Sequence, residues 1–319
     1  MEQLTEIRVR TKIPESEIEK KVGKILAESD YNVRLTGPSK VVLPTGKPLL
    51  IYLPKYMTGM RFDEAYSVLH KIKVSGNRGL ASGAPGFTVG GRRRYKEVMS
   101  AVIGNVDPLG NTPYCRTTAW TGDHAEEFSS LFPVFMDVDR AFAEYVPDRY
   151  MAQKTRANAT LPEWMVGDTV FTTMTVNNTY PTGVHKDAGD LDEGFSCLTT
   201  WRRGNYSGGH LTFPEWRVSV DLQDGDLILM DAHHWHGNTA LNLISEDAER
   251  ISLVLYYRTK VADCASGEQE AEKEVLAKKR TLGETKPTGA VWTGHHAALG
   301  KISSMDVDAM NESVTAPDA

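Results

Sequence analysis

The stretch HLTFPEWRVSVDLQDGDLILMD, residues 210–231, decides the fold. It holds three short runs of apolar or alternating residues, and Asp224-Gly225-Asp226 makes the break before the last run. Short runs of this kind with turn residues between them predict β-strands that pair with their neighbours.

The same pattern of short apolar or alternating runs continues on both sides of this stretch. Three more runs of the same kind are TVFTTMTVN (169–177), FSCLTTW (195–201) and RISLVLYYR (250–258). Glycine-rich breaks separate them, among them Gly208-Gly209 and Gly237-Asn238. Several short strands at close spacing are typical of an antiparallel sandwich or barrel.

The remainder of the chain is predicted to be largely helical. The first 30 residues, residues 62–74 and residues 122–150 indicate helices, because their apolar residues recur at helical spacing. Residues 33–54 predict a strand–turn–strand unit. A charged stretch after Cys264 predicts one more helix. The expected architecture is a β-barrel with a helical N-terminal half packed on it.

Composition excludes several classes of protein. The chain has 319 residues and a formal net charge of −6, and no apolar run of about 18 residues could cross a bilayer. The charged N-terminus lacks the apolar segment of a secretory signal. The three cysteines are few and far apart, which predicts free thiols in a reducing compartment rather than a disulfide framework or a thiolate zinc site. We therefore expect a cytoplasmic protein, and the sequence indicates no protein partner.

A metal site is predicted from two histidine-bearing stretches. His185 and Asp187 share one face of a strand, because side chains alternate with a period of two. A third ligand can come from the stretch 231–238, in which His234 and His236 share a face. Two histidines and one carboxylate are the facial triad that binds Fe(II) in non-haem oxygenases.

Arg250 predicts a binding site for an anion. It opens the run RISLVLYYR, where Arg250, Ser252, Val254 and Tyr256 share one face of the strand. A buried guanidinium without a partner would cost several kcal/mol or more. A dicarboxylate co-substrate would supply the partner, with its far carboxylate on the guanidinium fork and a hydrogen bond from Ser252.

These motifs resemble a known family. GGHLTF, DGDLILMDAHHWHGN and ERISLVLYYR resemble the second half of the 2-oxoglutarate/Fe(II) dioxygenases. More narrowly, FTTMTVNNTYPTGVHKDAGDLDEG and RISLVLYYR resemble the ten-eleven translocation and base-J-binding protein (TET/JBP) family, in a form that would suit a phage or bacterium. The resemblance implies a 2-oxoglutarate-, Fe(II)- and O₂-dependent enzyme that oxidises the 5-methyl group of pyrimidines in DNA.

The resemblance also assigns residues to the cofactor and the co-substrate. It implies that His185, Asp187 and His236 hold Fe(II), since His236 is the histidine followed by Gly-Asn as in the family pattern. Arg250 with Ser252 would bind the distal carboxylate of 2-oxoglutarate.

Three further positions would contact the extruded base. Tyr256 falls where the family places an aromatic ring against it, and Trp201 or Trp235 are further stacking candidates. Arg258 stands where the animal enzymes have histidine, and Asp190 where they have asparagine. A carboxylate only accepts hydrogen bonds, so Asp190 suits both the N4 amino group of cytosine and the N3–H of thymine. We prefer 5-methylcytosine, with thymine close behind.

The resemblance covers about residues 112–262 and implies a double-stranded β-helix, or jelly roll, for that segment. The fold class is thus α+β with a mainly β core. The expected domains are an N-terminal helix and hairpin region (1–111), the dioxygenase core (112–262), and a charged helix with a C-terminal tail (263–319).

DNA contact is the least supported part of this interpretation, because an acidic chain does not favour nucleic acid. The best phosphate-contacting candidates are Arg92, Arg93 and Arg94, with Arg202-Arg203 as a weaker pair. Two alternatives remain. One is a hydroxylase of a free nucleotide or another small molecule, and the other is a non-catalytic nucleic-acid-binding module.

Overall fold

A computed structural model of the chain describes residues 3–72, 86–89, 92–95, 100–110 and 112–282. Side chains are described in these ranges except at 86–89, 92–95 and 280–282. No helix in the described ranges is long and apolar enough to cross a membrane.

The helices and strands alternate irregularly along the chain. The α-helices are α1 (Glu15–Glu19), α2 (Met60–Leu69), α3 (Ala119–Asp123), α4 (Ala125–Ser130), α5 (Phe132–Tyr145), α6 (Pro147–Ala159) and α7 (Gly267–Leu282). The first strands are β1 (Thr5–Arg8), β2 (Val33–Leu35), β3 (Ser39–Val42), β4 (Pro48–Leu53), β5 (Gly86–Val89), β6 (Arg92–Tyr95), β7 (Ser100–Val106) and β8 (Arg116–Thr117). The later strands are β9 (Thr173–Asn178), β10 (Ser196–Arg203), β11 (Tyr206–Gly208), β12 (Leu211–Phe213), β13 (Val218–Val220), β14 (Leu227–Met230), β15 (Gly237–Asn238), β16 (Leu241–Leu243) and β17 (Glu249–Tyr256).

A nine-stranded sheet forms the centre of the fold. Its order is β1-β3-β4-β14-β10-β17-β9-β7-β8. The runs predicted as strands after residue 168 are confirmed, and β10 and β17 pair over seven residues each in its middle. The N-terminal region contributes β3 and β4, which confirm the strand–turn–strand unit predicted over residues 33–54. It also contributes β1, from a stretch predicted as a helix, so the N-terminal half is mixed rather than helical. The order is open at both ends, and a closed barrel is not found among the described strands.

A smaller sheet packs on one face of the large one. Its order is β15-β12-β13-β2, and β2 pairs in parallel with β13. Buried apolar side chains of both sheets meet between them, for example Phe213 and Val218 from the small sheet with Leu198 and Ile228 from the large one. Burying apolar area of this kind is the main favourable contribution to folding, about 25 cal/mol per Å².

Helices cover the opposite face of the large sheet. Ile251 and Leu253 of β17 point to this side and pack in the same cluster as Phe135 and Phe142 of α5. Strand alternation therefore turns Arg250 and the residues in phase with it toward the small sheet, where the candidate site lies.

The N-terminal helix prediction fails for local and tertiary reasons. Thr5–Arg8 pairs in parallel with Ser39–Val42 instead of coiling. The helix that does form, α1, has five residues, and Gly23 with a φ of 73° interrupts the backbone soon after it. The long helix predicted over residues 122–150 is divided, since Pro133 lies in the first turn of α5 rather than inside a helix.

The prediction of three free cysteines is also wrong. Cys115 and Cys264 form a disulfide with an S–S distance of 2.00 Å and a sequence separation of 149. Only Cys197 is a free, buried thiol among the described cysteines. The sequence spacing could not show this pairing, because the fold alone brings the segment before β8 next to the start of the C-terminal helix.

Candidate active site

The backbone holds His185 and His236 side by side. The N–H of each donates to the carbonyl of the other at 2.9 Å, which makes an isolated antiparallel bridge. Gly237 permits this approach, since a Cβ there would lie 3.0 Å from the backbone of the residue before His185. The Asp187 N–H donates to the Ala232 carbonyl at 3.0 Å, so Asp187 is fixed against the same partner segment.

The three side chains of His185, Asp187 and His236 converge on one point. Their ligand atoms all lie within 4.8 Å of one another. His185 Nε2 is 3.3 Å from one carboxylate oxygen of Asp187, and His236 Nε2 is 3.9 Å from the other. The Nδ1 atoms lie 2.8 Å from the Gly183 carbonyl and 2.9 Å from the His234 carbonyl. Each Nδ1–H can therefore donate to a carbonyl, which leaves both Nε2 lone pairs free for a metal.

The electrostatics of the cluster suit a cation. Burial, helped by the nearby His185, lowers the pKa of His236 to about 4, so that ring is neutral near pH 7. Burial acts to raise the pKa of Asp187, but the hydrogen bond with His185 and the charges of both histidines lower it to about 2. Burial acts to lower the pKa of His185, but the hydrogen bond with Asp187 raises it above its ordinary value. Because metal binding requires a neutral imidazole and an ionised carboxylate, a metal would displace a proton from His185, whereas His236 and Asp187 are already in the required states.

The neighbouring histidines are engaged elsewhere. Trp216 Nε1 donates to His234 Nδ1 at 3.2 Å, and the buried Glu215 lies 3.4 Å from the same nitrogen. Asp231 lies 3.0 Å from His233 and is the main cause that raises the pKa of His233 to about 9. Neither histidine is part of the three-residue cluster. This geometry supports His236 over His234 as the third ligand.

A cavity of about 420 Å³ opens beside the cluster. All eight side chains singled out from the sequence line it, namely His185, Asp187, Asp190, His236, Arg250, Ser252, Tyr256 and Arg258. A concave pocket that brings several polar groups together beside apolar side chains is typical of a small-molecule or cofactor site.

Arg250 is a buried cation at this cavity without a carboxylate partner. Its exposure is 4%, and no described carboxylate forms an ion pair with it within 4.0 Å. Burial lowers the pKa of Arg250, while Tyr206 and Asp221 act to raise it. Ser252 follows on the same face of β17 and accepts a hydrogen bond from Asn177 Nδ2 at 3.4 Å. A buried charge of this kind needs an anion in the cavity.

Asp190 and Arg258 lie together in another part of the cavity wall. The Asp107 carboxylate accepts hydrogen bonds from Arg258 Nε at 3.0 Å and from Arg258 Nη2 at 2.9 Å. Arg258 Nη1 donates to the Ala188 carbonyl at 3.3 Å. The Ser196 hydroxyl donates to Asp190 Oδ2 at 3.2 Å. Burial, and then the charge of Asp187, raises the pKa of Asp190 to about 7. An acceptor and a guanidinium are thus held side by side.

Sequence reasoning missed two residues that position this site. Asp107 fixes Arg258 from 151 positions away and belongs to no motif, so nothing in the sequence marked it. Asn177 lines the cavity and lies directly opposite Ser252 in the β9–β17 pairing. The alternation of polar and apolar residues along TMTVN was the signal that could have found Asn177.

The other sequence candidates differ in whether they line the cavity. Trp201 is fully buried, stacks on Phe62 at 4.4 Å and belongs to the core, so its prediction as a stacking surface is wrong. Arg203 donates to Asp224 at 2.8 Å, and neither it nor Arg202 lines the cavity. Trp235 does line the cavity. The side chains of Arg92, Arg93 and Arg94 lie outside the described residues.

Comparisons with known proteins agree with this geometry. Residues 105–259 match the family model Tet_JBP, described as the oxygenase domain of the 2OGFeDO superfamily. Thymine dioxygenase JBP1 of Leishmania braziliensis is 35% identical over 173 residues, which are 53% of this chain and 21% of that protein. Thymine dioxygenase JBP1 of Trypanosoma brucei brucei is 33% identical over 195 residues, 59% of this chain and 22% of that protein. The chain therefore spans about a fifth of the length of these curated relatives.

A solved structure shares the fold. NgTET1 in complex with 5mC DNA superposes with a TM-score of 0.54 at 14% identity, covering 79% of this chain and 88% of that one. The superfamily takes Fe(II), 2-oxoglutarate and O₂, and the His-Asp-His cluster is the donor set that such an iron site requires. Over residues 105–259, the chain therefore matches the Tet/JBP family of oxygenase domains.

Proposed function

We propose that the protein is a 2-oxoglutarate- and Fe(II)-dependent dioxygenase that hydroxylates the 5-methyl group of a pyrimidine in DNA. One observation carries the proposal. A single cavity joins a cluster of two histidines and an aspartate to a buried arginine that has no carboxylate partner among the described residues. The cluster of two histidines and an aspartate fits Fe(II), and the buried arginine fits the distal carboxylate of a dicarboxylate.

In this proposal His185, Asp187 and His236 hold Fe(II). Bound iron, with 2-oxoglutarate and O₂, supplies the oxidising chemistry that replaces a C–H bond of the methyl group by C–OH. The protein's part is to orient both Nε2 atoms toward the metal through the carbonyl contacts of the Nδ1 atoms, and to keep Asp187 ionised.

Arg250 and Ser252 would bind the distal carboxylate of 2-oxoglutarate. The planar guanidinium offers two parallel N–H donors to a carboxylate, and such charge-assisted pairs are about twice as strong as neutral hydrogen bonds. Their place at the cavity wall orients the co-substrate so that its 2-oxo acid end faces the metal site.

Asp190, Tyr256 and Arg258 would contact the base. A methyl group inside a duplex is out of reach, so the base has to be flipped into the cavity and held by stacking and edge hydrogen bonds. Asp190 accepts from an N–H of the base, and Arg258, fixed by Asp107, donates to a ring nitrogen or carbonyl oxygen. The Asp190 side chain can accept from the N4 amino group of 5-methylcytosine or from the N3–H of thymine. Our first choice is 5-methylcytosine, whereas the names of the JBP1 relatives favour thymine.

The finer architecture is part of the proposal. The two facing sheets would be the two layers of a double-stranded β-helix, with the dioxygenase core over residues 112–262 between the regions 1–111 and 263–319. The pairing of β4 with β14 and of β2 with β13 means that the N-terminal region would complete the core's sheets. Arg92, Arg93 and Arg94 would contact DNA phosphates.

A second candidate substrate is a free nucleotide or another small molecule. The observation that favours it is charge. The chain has a net charge of −6, and Arg202 and Arg203 are engaged with Gln223 and Asp224 rather than presented at the cavity. A duplex binder usually displays a basic surface.

The deciding experiment is nucleoside mass spectrometry of duplex DNA incubated with the protein, Fe(II), ascorbate and 2-oxoglutarate. Methylated and unmethylated duplexes are compared, with the His236→Ala variant as the control. We expect 5-hydroxymethylcytosine or 5-hydroxymethyluracil, and the product identifies the base. Formation of succinate without either modified base would indicate that the substrate is a free nucleotide or another small molecule. If the iron-loaded protein forms no succinate, the remaining candidate is the non-catalytic nucleic-acid-binding module.

A further inference from the structure

Two buried hydroxyl groups beside the anion site have no hydrogen-bond partner. The Thr200 side chain is 0% exposed and the Tyr206 side chain 2%, and neither Thr200 Oγ1 nor the Tyr206 hydroxyl meets an acceptor among the described residues. Native proteins rarely bury unpaired hydroxyls, because each loses its hydrogen bonds with water and gains nothing in return. An absent ligand is one physical explanation for such groups.

Thr200 lies on the same face of the large sheet as the predicted carboxylate ligands. It is directly opposite Ser252 in the pairing of β10 with β17, and Arg202 is likewise opposite Arg250. Residues opposite each other in an antiparallel pair point to the same side, with Cβ atoms about 5 Å apart. The Thr200 hydroxyl is therefore a near neighbour of the Ser252 hydroxyl.

Tyr206 lies in β11 and approaches Arg250; neither it nor Thr200 lines the cavity, whose wall Arg250 and Ser252 form at this point. Although burial lowers the pKa of Arg250 overall, its guanidinium can donate to the Tyr206 phenol oxygen, which favours the charged form of Arg250. Arg202 holds the tyrosine in position, because its guanidinium lies 4.0 Å from the ring centroid and its Nη2 donates to the Tyr206 carbonyl at 2.6 Å. Arginine can supply only donors, so the proton of the Tyr206 hydroxyl is left without an acceptor.

We propose that the Thr200 and Tyr206 hydroxyls donate to the same distal carboxylate that Arg250 and Ser252 bind. The inference rests on the proposed function and adds two positioning residues to it. A carboxylate offers about four lone-pair sites on two oxygens. The guanidinium fork and Ser252 occupy three of them at most, so at least one site remains for the two orphaned hydroxyls, which can share an oxygen.

The test is an anaerobic titration of the Fe(II)-loaded protein with 2-oxoglutarate, followed by the visible absorption of the iron chelate, which requires no DNA and no turnover. The variants are Thr200→Val and Tyr206→Phe, which remove one oxygen each and keep the shape of the side chain. We expect each to weaken 2-oxoglutarate binding by about tenfold, as for the loss of a hydrogen bond to a charged group. The free energy of unfolding without co-substrate should be unchanged or higher, because an unpaired buried hydroxyl has been removed.

Two controls separate this role from a structural one. Thr199→Val removes a hydroxyl that is equally buried and unpartnered, on the other face of the same strand, and should leave 2-oxoglutarate binding unchanged. The second control replaces 2-oxoglutarate by 2-oxobutanoate, which keeps the chelating end and lacks the distal carboxylate. With this ligand, Thr200→Val and Tyr206→Phe should bind as tightly as the unmodified protein.

The outcomes are distinct for the two proposals. If the unmodified iron-loaded protein does not bind 2-oxoglutarate, the proposed function fails. Suppose that the unmodified protein binds 2-oxoglutarate. If both variants bind it as tightly as the unmodified protein does, or if their affinity for 2-oxobutanoate falls as much as their affinity for 2-oxoglutarate, the role of the two hydroxyls is refuted and the proposed function stands.

Discussion

At the scale of single residues, two histidines two positions apart have different surroundings. His236 faces His185 and Asp187, whereas His234 contacts Trp216. We expect His236→Ala to lose bound Fe(II) after desalting and His234→Ala to retain it, because only His236 offers a free Nε2 to the cluster. Iron content per protein measures this, with thermal melting to verify that both variants fold. Retention by His236→Ala with loss by His234→Ala would reassign the ligand.

Arg250 permits a test that keeps its charge. Arg250→Lys retains a cation but loses the planar fork, so we expect the KM for 2-oxoglutarate to rise about 10- to 100-fold, which corresponds to roughly 1.4–2.8 kcal/mol. Succinate formation at varied 2-oxoglutarate gives the value. Arg203→Lys is the matched control, since Arg203 is paired with Asp224 outside the cavity. An equal KM for the two variants would remove Arg250 from the co-substrate site.

Asp190 predicts a pH dependence of stability. Its pKa is about 7 in the fold against an ordinary value of 3.8, chiefly because of burial, so the folded protein binds a proton that the unfolded chain has released. The free energy of unfolding should therefore fall as pH rises from about 4 to 7. Asp190→Asn should remove this slope and be more stable at pH 8 by the order of 2 kcal/mol. Urea denaturation of the metal-free protein at several pH values in this range measures the free energy of unfolding. If this free energy depends on pH in the same way for the unmodified protein and for Asp190→Asn, the raised pKa of Asp190 is contradicted.

The residues of the site were predictable to different degrees. Arg250 could be selected because strand alternation fixes which side chains share a face. His185 and Asp187 were predicted on the same ground, but the structure gives them an isolated bridge at His185 instead of a strand. The choice of His236 needed the family resemblance, since alternation alone leaves His234 open. Asp107 could not be found at all, because its contact with Arg258 exists only through the pairing of distant strands.

At the scale of elements, the segment after α1 runs along the two backbones that carry the histidines. Val184 N–H donates to the Lys24 carbonyl and Gly23 N–H to the Val184 carbonyl, both at 2.9 Å. Leu26 N–H donates to the Asn238 carbonyl at 2.9 Å. Each contact is within two residues of a predicted ligand. The sequence predicted a continuous helix here, and the apolar spacing misled because Ile18 and Leu26 are buried by tertiary contact instead.

The close approach of this segment depends on glycine. A Cβ at Gly183 would lie 2.5–2.9 Å from the Gly23 backbone, which no side-chain movement can relieve. We expect Gly183→Ala to displace the segment, lower the free energy of unfolding by about 1–3 kcal/mol and weaken Fe(II) binding through His185. Gly37→Ala, where a Cβ meets nothing within 4 Å, is the control. Unaltered iron affinity and stability in Gly183→Ala would show that the segment does not support the site.

At the scale of the whole molecule, strand identity was predictable and strand order was not. Short apolar or alternating runs between turn residues indicated the strands after residue 168, because these patterns are local. The entry of β2 and β4 into the two sheets requires contacts across most of the chain, as in the pairing of Ile51 with Leu229. Such long-range contacts leave no periodic mark on the sequence.

The disulfide joins the start of the oxygenase segment to the residues just before α7, and other contacts reinforce this junction. The buried Glu270 accepts from the Cys115 N–H at 2.8 Å and from the Ala265 N–H at 2.9 Å. Because the bridge closes a loop of 149 residues, its removal in Cys115→Ser/Cys264→Ser should lower the free energy of unfolding by about 3–5 kcal/mol. Neither cysteine lines the cavity, so 2-oxoglutarate binding at 25 °C should be unchanged.

Urea denaturation with and without a reductant measures this contribution, and the double variant serves as the control because a reductant should not affect it. Peptide mapping under non-reducing conditions identifies the bridge directly. If the unmodified protein denatures at the same urea concentration with and without reductant and its mapped peptides carry free thiols, the two cysteines are not cross-linked. The helix would then depend on Glu270 and on the packing of Trp164 with Val261 to stay in place, and Glu270→Gln should destabilise the reduced protein more than the oxidised one.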